Sequence, residues 1–85
     1  MIEQFVKKPI IVEAIQWTGK NEHEIMKFVG SHCCLVNKSN GKALIINTLE
    51  GDHYASVNDW IVKGVKGEFY PVKPDIMEQT YNRVN

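Results

Sequence analysis

The sequence predicts an α+β domain: a small antiparallel, barrel-like sheet of about five to six strands, with one helix after the first strand and a short C-terminal helix. Three observations support this fold class. Strand-like runs recur at short spacing after residue 33, separated by turn signals. One helical apolar stripe follows the first run. Eighty-five residues, 44% of them hydrophobic, allow a single domain, residues 1–85, with one modest core.

The first predicted strand runs from Phe5 to Trp17. Alternate positions between residues 10 and 17 are largely apolar on both faces, which is typical of a central strand. Pro9 lacks an amide donor, so we expect regular pairing to begin after it.

The segment TGKNEHEIMKFVG, residues 18–30, has the pattern of a helix. Asn21 and Glu24 have the spacing of a capping box, and Gly30 provides a C-terminal stop. The stripe that would face the core consists of Ile25, Phe28 and Val29.

The runs CCLVNK and KALIINTL flank Ser39-Asn40-Gly41. Asn-Gly between strand-like runs is a strong hairpin signal, so we expect a tight turn with positive φ at Asn40 and Gly41. Later turn signals bound three more strands, at residues 53–56, 60–63 and 68–72.

The final helix is predicted to start at Pro74, because proline suits the first helical position. Met77 and Tyr81 lie four residues apart and would anchor that helix.

Charge and composition exclude several classes of protein. Ten Lys and Arg balance ten Asp and Glu, whereas a nucleic-acid binder usually has a basic excess. No apolar run approaches the ~20 residues of a membrane span, and MIEQFVKKP lacks the apolar core of a signal peptide. We therefore predict a cytoplasmic protein that neither binds nucleic acid directly nor enters a membrane.

Cys33 and Cys34 are the only cysteines and are adjacent in sequence. Adjacent residues do not reach normal disulfide geometry without strain, so we predict two reduced thiols, at least one of them buried.

A small core and zero net charge favour self-association. The uncharged segment ALIINT, residues 43–48, is the expected interface strand of a homo-oligomer.

The blocks KKPIIVEAIQWTG and DWIVKGVKGEFYPVKPDIMEQTY, with the short helix between them, resemble a family of small uncharacterised proteins of tailed phages and prophages. That family is similar to the Pro-Gly-Asp-Tyr-Gly type of domain, and here Val57-Asn58 stands where the family usually shows Pro-Gly. Asn58 still tolerates a positive φ. The resemblance implies a phage or prophage origin and the host bacterial cytoplasm, and it implies no catalytic residues.

The residues offer little for catalysis or metal binding. His23, His32 and His53 lack the spacing of a metal site, and the sequence has no nucleophile elbow or phosphate loop. Gly64-x-x-Gly67 is interpreted as a hairpin turn. We predict no enzyme activity, no catalytic residue, no metal and no cofactor.

Two tryptophans at strand ends provide the candidate binding site. Each ring either plugs the core or offers a stacking surface. Lysines beside them would meet an anionic planar ligand or would protect a sheet edge from aggregation. The predicted ligand-binding residues are Trp17, Trp60, Lys63, Lys66, Glu68 and Tyr70.

Together these observations predict a non-enzymatic phage accessory protein that acts by binding. It would antagonise a host defence or regulatory step by sequestering a nucleotide-like small molecule or by blocking a host protein. The alternatives are a phage structural or assembly protein and, on weaker grounds, a small enzyme.

Overall fold

The structure is a computed structural model that describes residues 1–6, 8–38 and 41–84, with residues 37, 38 and 41 described by their backbone alone. Six strands and two α-helices form in this part of the chain, and a 3₁₀ turn, Gly30–His32, follows the first helix. In chain order they are β1 Glu13–Gln16, α1 Glu22–Val29, β2 Cys33–Lys38, β3 Gly41–Thr48, β4 Gly51–Ala55, β5 Trp60–Lys63, β6 Phe69–Val72 and α2 Pro74–Thr80.

The predicted α+β class is confirmed, but the predicted barrel is wrong. The strands form two antiparallel three-stranded sheets, ordered β1-β5-β6 and β2-β3-β4. Strand β6 lies against β3 and β4 of the second sheet without joining its ladder. The two sheets therefore meet through side chains.

Pro71 removes one backbone donor from the outer edge of β6, and β3, which β6 contacts, already pairs with β2 and β4 on its two sides. The Gly64 amide donates to the Glu68 carbonyl over 2.7 Å. Backbone groups alternate in direction along a strand, so those of Tyr70 face β5 and those of Pro71 face away. Proline has no N–H to donate at that outer edge.

Strand β1 differs most from the prediction. It covers Glu13–Gln16 rather than residues 5–17, and it lies at the edge of its sheet rather than at the centre. The apolar character of both faces of β1 therefore does not come from a central position in the sheet. Ile15 packs against the core, while Ala14, on the opposite face, lines a surface cleft.

The core lies between the two sheets and α1, and the predicted apolar stripe of α1 faces it. Ile25 and Val29 are buried, and Phe28 packs against the cluster with its ring centroid 5.5 Å from that of Phe69. The other buried members of the cluster are Trp17, Leu44, Ile46, Ala55, Ile61 and Phe69. Each fully buried aliphatic side chain contributes about 1.5–3 kcal/mol.

The predicted capping box of α1 is wrong, although the helix and its stop at Gly30 are confirmed. The side chain of Asn21 makes no hydrogen bond to the helix backbone. Its amide nitrogen donates to the carbonyl of Gln16 and to Glu24 Oε1, each over 2.9 Å, and its Oδ1 accepts from the backbone N–H of Thr18. Asn21 therefore ties the end of β1 to the start of α1.

The second sheet begins with the predicted hairpin of β2 and β3. Lys38 pairs with Gly41, and the turn expected at Asn40-Gly41 lies outside the described residues because residues 39 and 40 are not covered. Strand β3 pairs with β2 and β4 on its two sides, so ALIINT has no open backbone edge to offer a second copy.

Both cysteines carry free thiols, as predicted. Cys33 packs against the core but is only half-buried, and Cys34 is exposed on the other face of β2. The prediction that at least one thiol is buried is wrong, because β2 lies at the edge of its sheet.

The C-terminal helix α2 starts at Pro74, as predicted. It has no buried residue, and Met77 and Tyr81 are half-buried. The helices also differ from the prediction in placement, because neither closes a barrel. Helix α1 contributes to the core, whereas α2 borders a cleft on the opposite face of the first sheet.

Candidate functional site

An open cleft lies on the face of the first sheet that points away from the core. Its volume is about 1510 Å³, and it is bordered by residues 8–12, α2 and residues 82–84. That volume exceeds the ~300–1,000 Å³ of ordinary small-molecule pockets. The cleft is therefore large enough for a ligand of nucleotide size or larger.

Strand alternation builds the floor of the cleft. Gln16 pairs with Trp60, and Val62 pairs with Tyr70. Residues at even positions of these strands therefore share one face. On that face Val62 is fully buried, while Gln16, Trp60 and Tyr70 are half-buried and line the cleft.

Arg83 supplies a cation above an aromatic ring in this cleft. Its guanidinium carbon lies 5.5 Å from the ring centroid of Trp60, within the range of a cation–π contact. Trp60 was predicted as a site residue from its position at a strand end. Arg83 was missed because it follows α2 outside any periodic pattern, and the only available signal was that it is the sole arginine of the chain.

A pair of phenols lies beside this contact. The hydroxyl oxygens of Tyr70 and Tyr81 are 3.5 Å apart. Burial, together with this hydrogen bond, raises the pKa of Tyr70 to about 12. The Tyr70 hydroxyl therefore stays protonated at neutral pH, where it can donate or accept a hydrogen bond.

The charges that line the cleft are balanced. Lys8 and Arg83 are basic, and Glu68 and Glu78 are acidic. The Glu68 side chain lies over Gly64, where a β-carbon would overlap its carboxylate. Any preference for anions must therefore come from the local position of Arg83 and not from the charge of the whole cleft.

The structure separates the predicted site residues into three groups. Trp60, Glu68 and Tyr70 line the cleft. Trp17 is only 2% exposed and belongs to the core. Lys63 and Lys66 are exposed and do not line the cleft, so their part in binding stays a prediction.

A buried carboxylate stabilises the turn that precedes β5. Asp59 is 3% exposed, and its Oδ2 accepts from the Ser56 amide over 2.9 Å and from Lys73 Nζ over 3.2 Å. Asn58 adopts the expected positive φ, at 83°. These contacts fix the start of α2 relative to β5, and thereby one wall of the cleft.

The histidines and cysteines form no comparable site. A cavity of about 230 Å³ lies beside Cys33 and Cys34, but burial raises the pKa of the Cys33 thiol, which disfavours the reactive thiolate. Among residues 1–6, 8–38 and 41–84, no three His, Cys, Asp or Glu side chains are grouped to hold a metal ion.

Searches among protein families, curated proteins and solved structures found no match to this chain. No helix in the described part of the chain has the length and apolar character needed to cross a membrane.

Proposed function

We propose that this protein is a non-enzymatic binding protein whose cleft takes a planar, anionic, nucleotide-like small molecule. The observation that carries the proposal is the half-buried ring of Trp60 with the Arg83 guanidinium 5.5 Å from its centroid, inside an open cleft. This pair offers a stacking surface and a positive charge at one place.

The energetics suit a ligand of moderate affinity. Stacking of a base on an aromatic side chain contributes about 1–3 kcal/mol. A hydrogen bond to a charged group adds about 1.5–3 kcal/mol. After the cost of immobilising the ligand, these terms support binding in the micromolar range.

The same groups favour binding over catalysis. The side chains in contact with one another in the cleft are an indole with a guanidinium and two phenols, which suit stacking and hydrogen bonding to a ligand. A reaction would need a positioned nucleophile or an acid–base pair, for which the lining carboxylates of Glu68 and Glu78 are the candidates.

The biological setting follows from the phage-like sequence blocks. We propose a phage or prophage accessory protein that acts in the host bacterial cytoplasm and sequesters a nucleotide-like signal of a host defence or regulatory pathway. Blocking a host protein through the same cleft is the alternative partner, and a role in assembly of the phage particle is the alternative function.

Titration with matched nucleosides and nucleotides tests the ligand class. We expect adenosine monophosphate or a cyclic dinucleotide to quench the fluorescence of Trp60, while the core residue Trp17 is unaffected. Failure of every mononucleotide and dinucleotide to bind would contradict the proposal.

The variant Arg83→Gln tests the role of the cation. Affinity for the nucleotide should fall about tenfold or more, since a charge-assisted contact is worth about 1.5–3 kcal/mol. Affinity for neutral adenosine should change little. The matched control is Lys27→Gln, which removes one positive charge from an exposed position of α1. Equal losses in the two variants would indicate a general charge effect and not a site.

A further inference from the structure

We infer that the outer edge of β1 is an interface at which a second copy of this chain pairs, through residues 8–14, to form an antiparallel dimer. This inference concerns a sheet edge and stands independently of the proposed ligand.

Hydrogen bonds around Trp17 identify which backbone groups face that edge. The Trp17 amide donates to the Asp59 carbonyl over 2.8 Å, and the Trp17 carbonyl accepts from the Asn58 amide over 2.6 Å. Trp17 therefore points its backbone groups towards the β5 side. The backbone N–H and C=O groups of successive residues alternate in direction along a strand. Those of Gln16 and Ala14 therefore point outwards, away from β5.

Asn21 confirms this direction and marks where the open edge ends. Its side-chain amide donates to the outward carbonyl of Gln16 over 2.9 Å. The edge is thus covered at Gln16 and open at Ala14. In an extended chain the same alternation continues upstream through Val12, Ile10 and Lys8.

The centre of this edge lacks the charges that usually oppose pairing, although Lys8 and Glu13 flank it. Residues 10–12 are Ile-Ile-Val and carry no charge, although edge strands are usually protected by charges, prolines or bulges. If the alternation of Glu13–Gln16 continues upstream in an extended chain, the backbone of Pro9 faces the β5 side and its missing N–H interrupts no bond at the outer edge. Pro71 of β6, by contrast, lacks its donor at the outer edge of that strand.

The exposed side chains show what pairing would bury. Ile11 is 78% exposed and Ile10 is 48% exposed. An antiparallel dimer through residues 8–14 would remove part of these two side chains from water.

Charge permits a register centred on Ile11 and disfavours one centred on Glu13. A dimer centred on Ile11 places Ile11 against its own copy, Ile10 against Val12, Lys8 against Ala14 and Glu13 against Pro9. No like charges are opposed in this arrangement. A dimer centred on Glu13 would set two carboxylates face to face, which is unfavourable. The zero net charge of the chain adds no general repulsion between copies.

The two-fold axis would make one continuous sheet of six strands, with β1 of each copy at its centre. Such an isologous pairing closes on itself. The residues that form one wall of the cleft, 8–12, would then be held by backbone hydrogen bonds to the second copy.

Sedimentation or light scattering across a concentration series tests the dimer. The parent chain should show twice the mass of one chain at micromolar concentration. Val12→Pro, which removes an outward amide upstream of β1, should halve that mass, whereas Val12→Ala keeps the amide and should remain dimeric. A parent chain that stays monomeric, or a Val12→Pro variant with the parent's mass, would overturn the inference.

Disulfide crosslinking tests the register and supplies a second readout if Val12→Pro fails to fold. In a Cys33→Ala, Cys34→Ala background, Ile11→Cys would place two thiols at a close pair of Cα atoms, about 4.5 Å apart, within the range a disulfide requires. Oxidation should then yield a covalent dimer in high yield. The control is Val57→Cys in an exposed turn, 54% exposed in the parent, and equal crosslinking of the two variants would refute the predicted register.

Discussion

At the scale of single residues, the main finding is that a tryptophan and the sole arginine of the chain meet in a cleft. Position at a strand end predicted Trp60 as a binding residue, and it predicted Trp17 equally. Only the packing separates them, because Trp17 is buried in the core and Trp60 is half-buried beside Arg83. The aromatic part of the candidate site was thus predictable, and its cation was not.

The phenol of Tyr70 predicts a loss of stability at alkaline pH. Its pKa in the folded protein is about 12, above its ordinary value of 10.0. Between those values the unfolded chain releases the proton while the folded protein retains it, so the free energy of unfolding falls as pH rises from about 10 to about 12. Below pH 10 the contribution is fully present.

Titration of the phenolate absorbance checks this prediction. One of the three tyrosines should ionise late, and Tyr70→Phe should abolish the late step. The same variant should flatten the alkaline decline in unfolding free energy measured by urea denaturation. A late step that persists in Tyr70→Phe would assign the raised pKa to another residue.

Asp59 makes a prediction about stability rather than binding. Replacing Asp59 by Ala would leave the Ser56 amide without its side-chain acceptor and would free Lys73. A hydrogen bond to a charged acceptor contributes about 1.5–3 kcal/mol, so the urea midpoint should fall by a corresponding amount. Glu50→Ala, in an exposed turn, should change it little. A midpoint unchanged in Asp59→Ala would show that the turn does not depend on this carboxylate.

At the scale of elements, local signals predicted best the segments whose own apolar spacing or glycines mark their bounds. Helix α1, strand β5 and the turn at residues 64–67 were placed correctly, since apolar spacing and glycine suffice for them. Strand β1 was misplaced. It pairs with β5, more than forty residues later in the chain, and its apolar faces did not reveal that one of them lines a cleft.

Helix α1 also shows where a local rule fails. Asn21 and Glu24 have capping-box spacing, but tertiary contact diverts the Asn21 side chain to the carbonyl of Gln16. This bond joins a strand end to a helix start. The local sequence shows the Asn21–Glu24 spacing, but it does not show that the Gln16 carbonyl competes for the Asn21 side chain.

At the scale of the whole molecule, the two sheets share one core although no backbone ladder joins them in the described part of the chain. The first sheet contributes Ile61 and Phe69, and the second contributes Leu44 and Ile46. The strand count and spacing were predicted correctly. The barrel prediction failed because no pair of strands joins the two sheets into one closed ladder in the described part of the chain. A proline on the outer edge of β6 leaves side-chain packing to hold the sheets together.

This shared core predicts that damage to the second sheet unfolds the first. Ile46 is fully buried in β3, so Ile46→Val should cost about 0.5–1.5 kcal/mol. In a chain of this size, that corresponds to a fall in Tm of several degrees, at roughly 4–8 °C per kcal/mol.

Both tryptophans belong to the first sheet or its immediate ends. Their fluorescence should therefore report the same lowered Tm as far-ultraviolet circular dichroism. The matched control is Ile11→Val, the same chemical change at an exposed position, measured below the concentration at which any dimer forms. Cooperative unfolding requires the core between the two sheets to be lost as one unit. If the fluorescence transition of Ile46→Val kept the Tm of the parent chain, the two sheets would unfold separately.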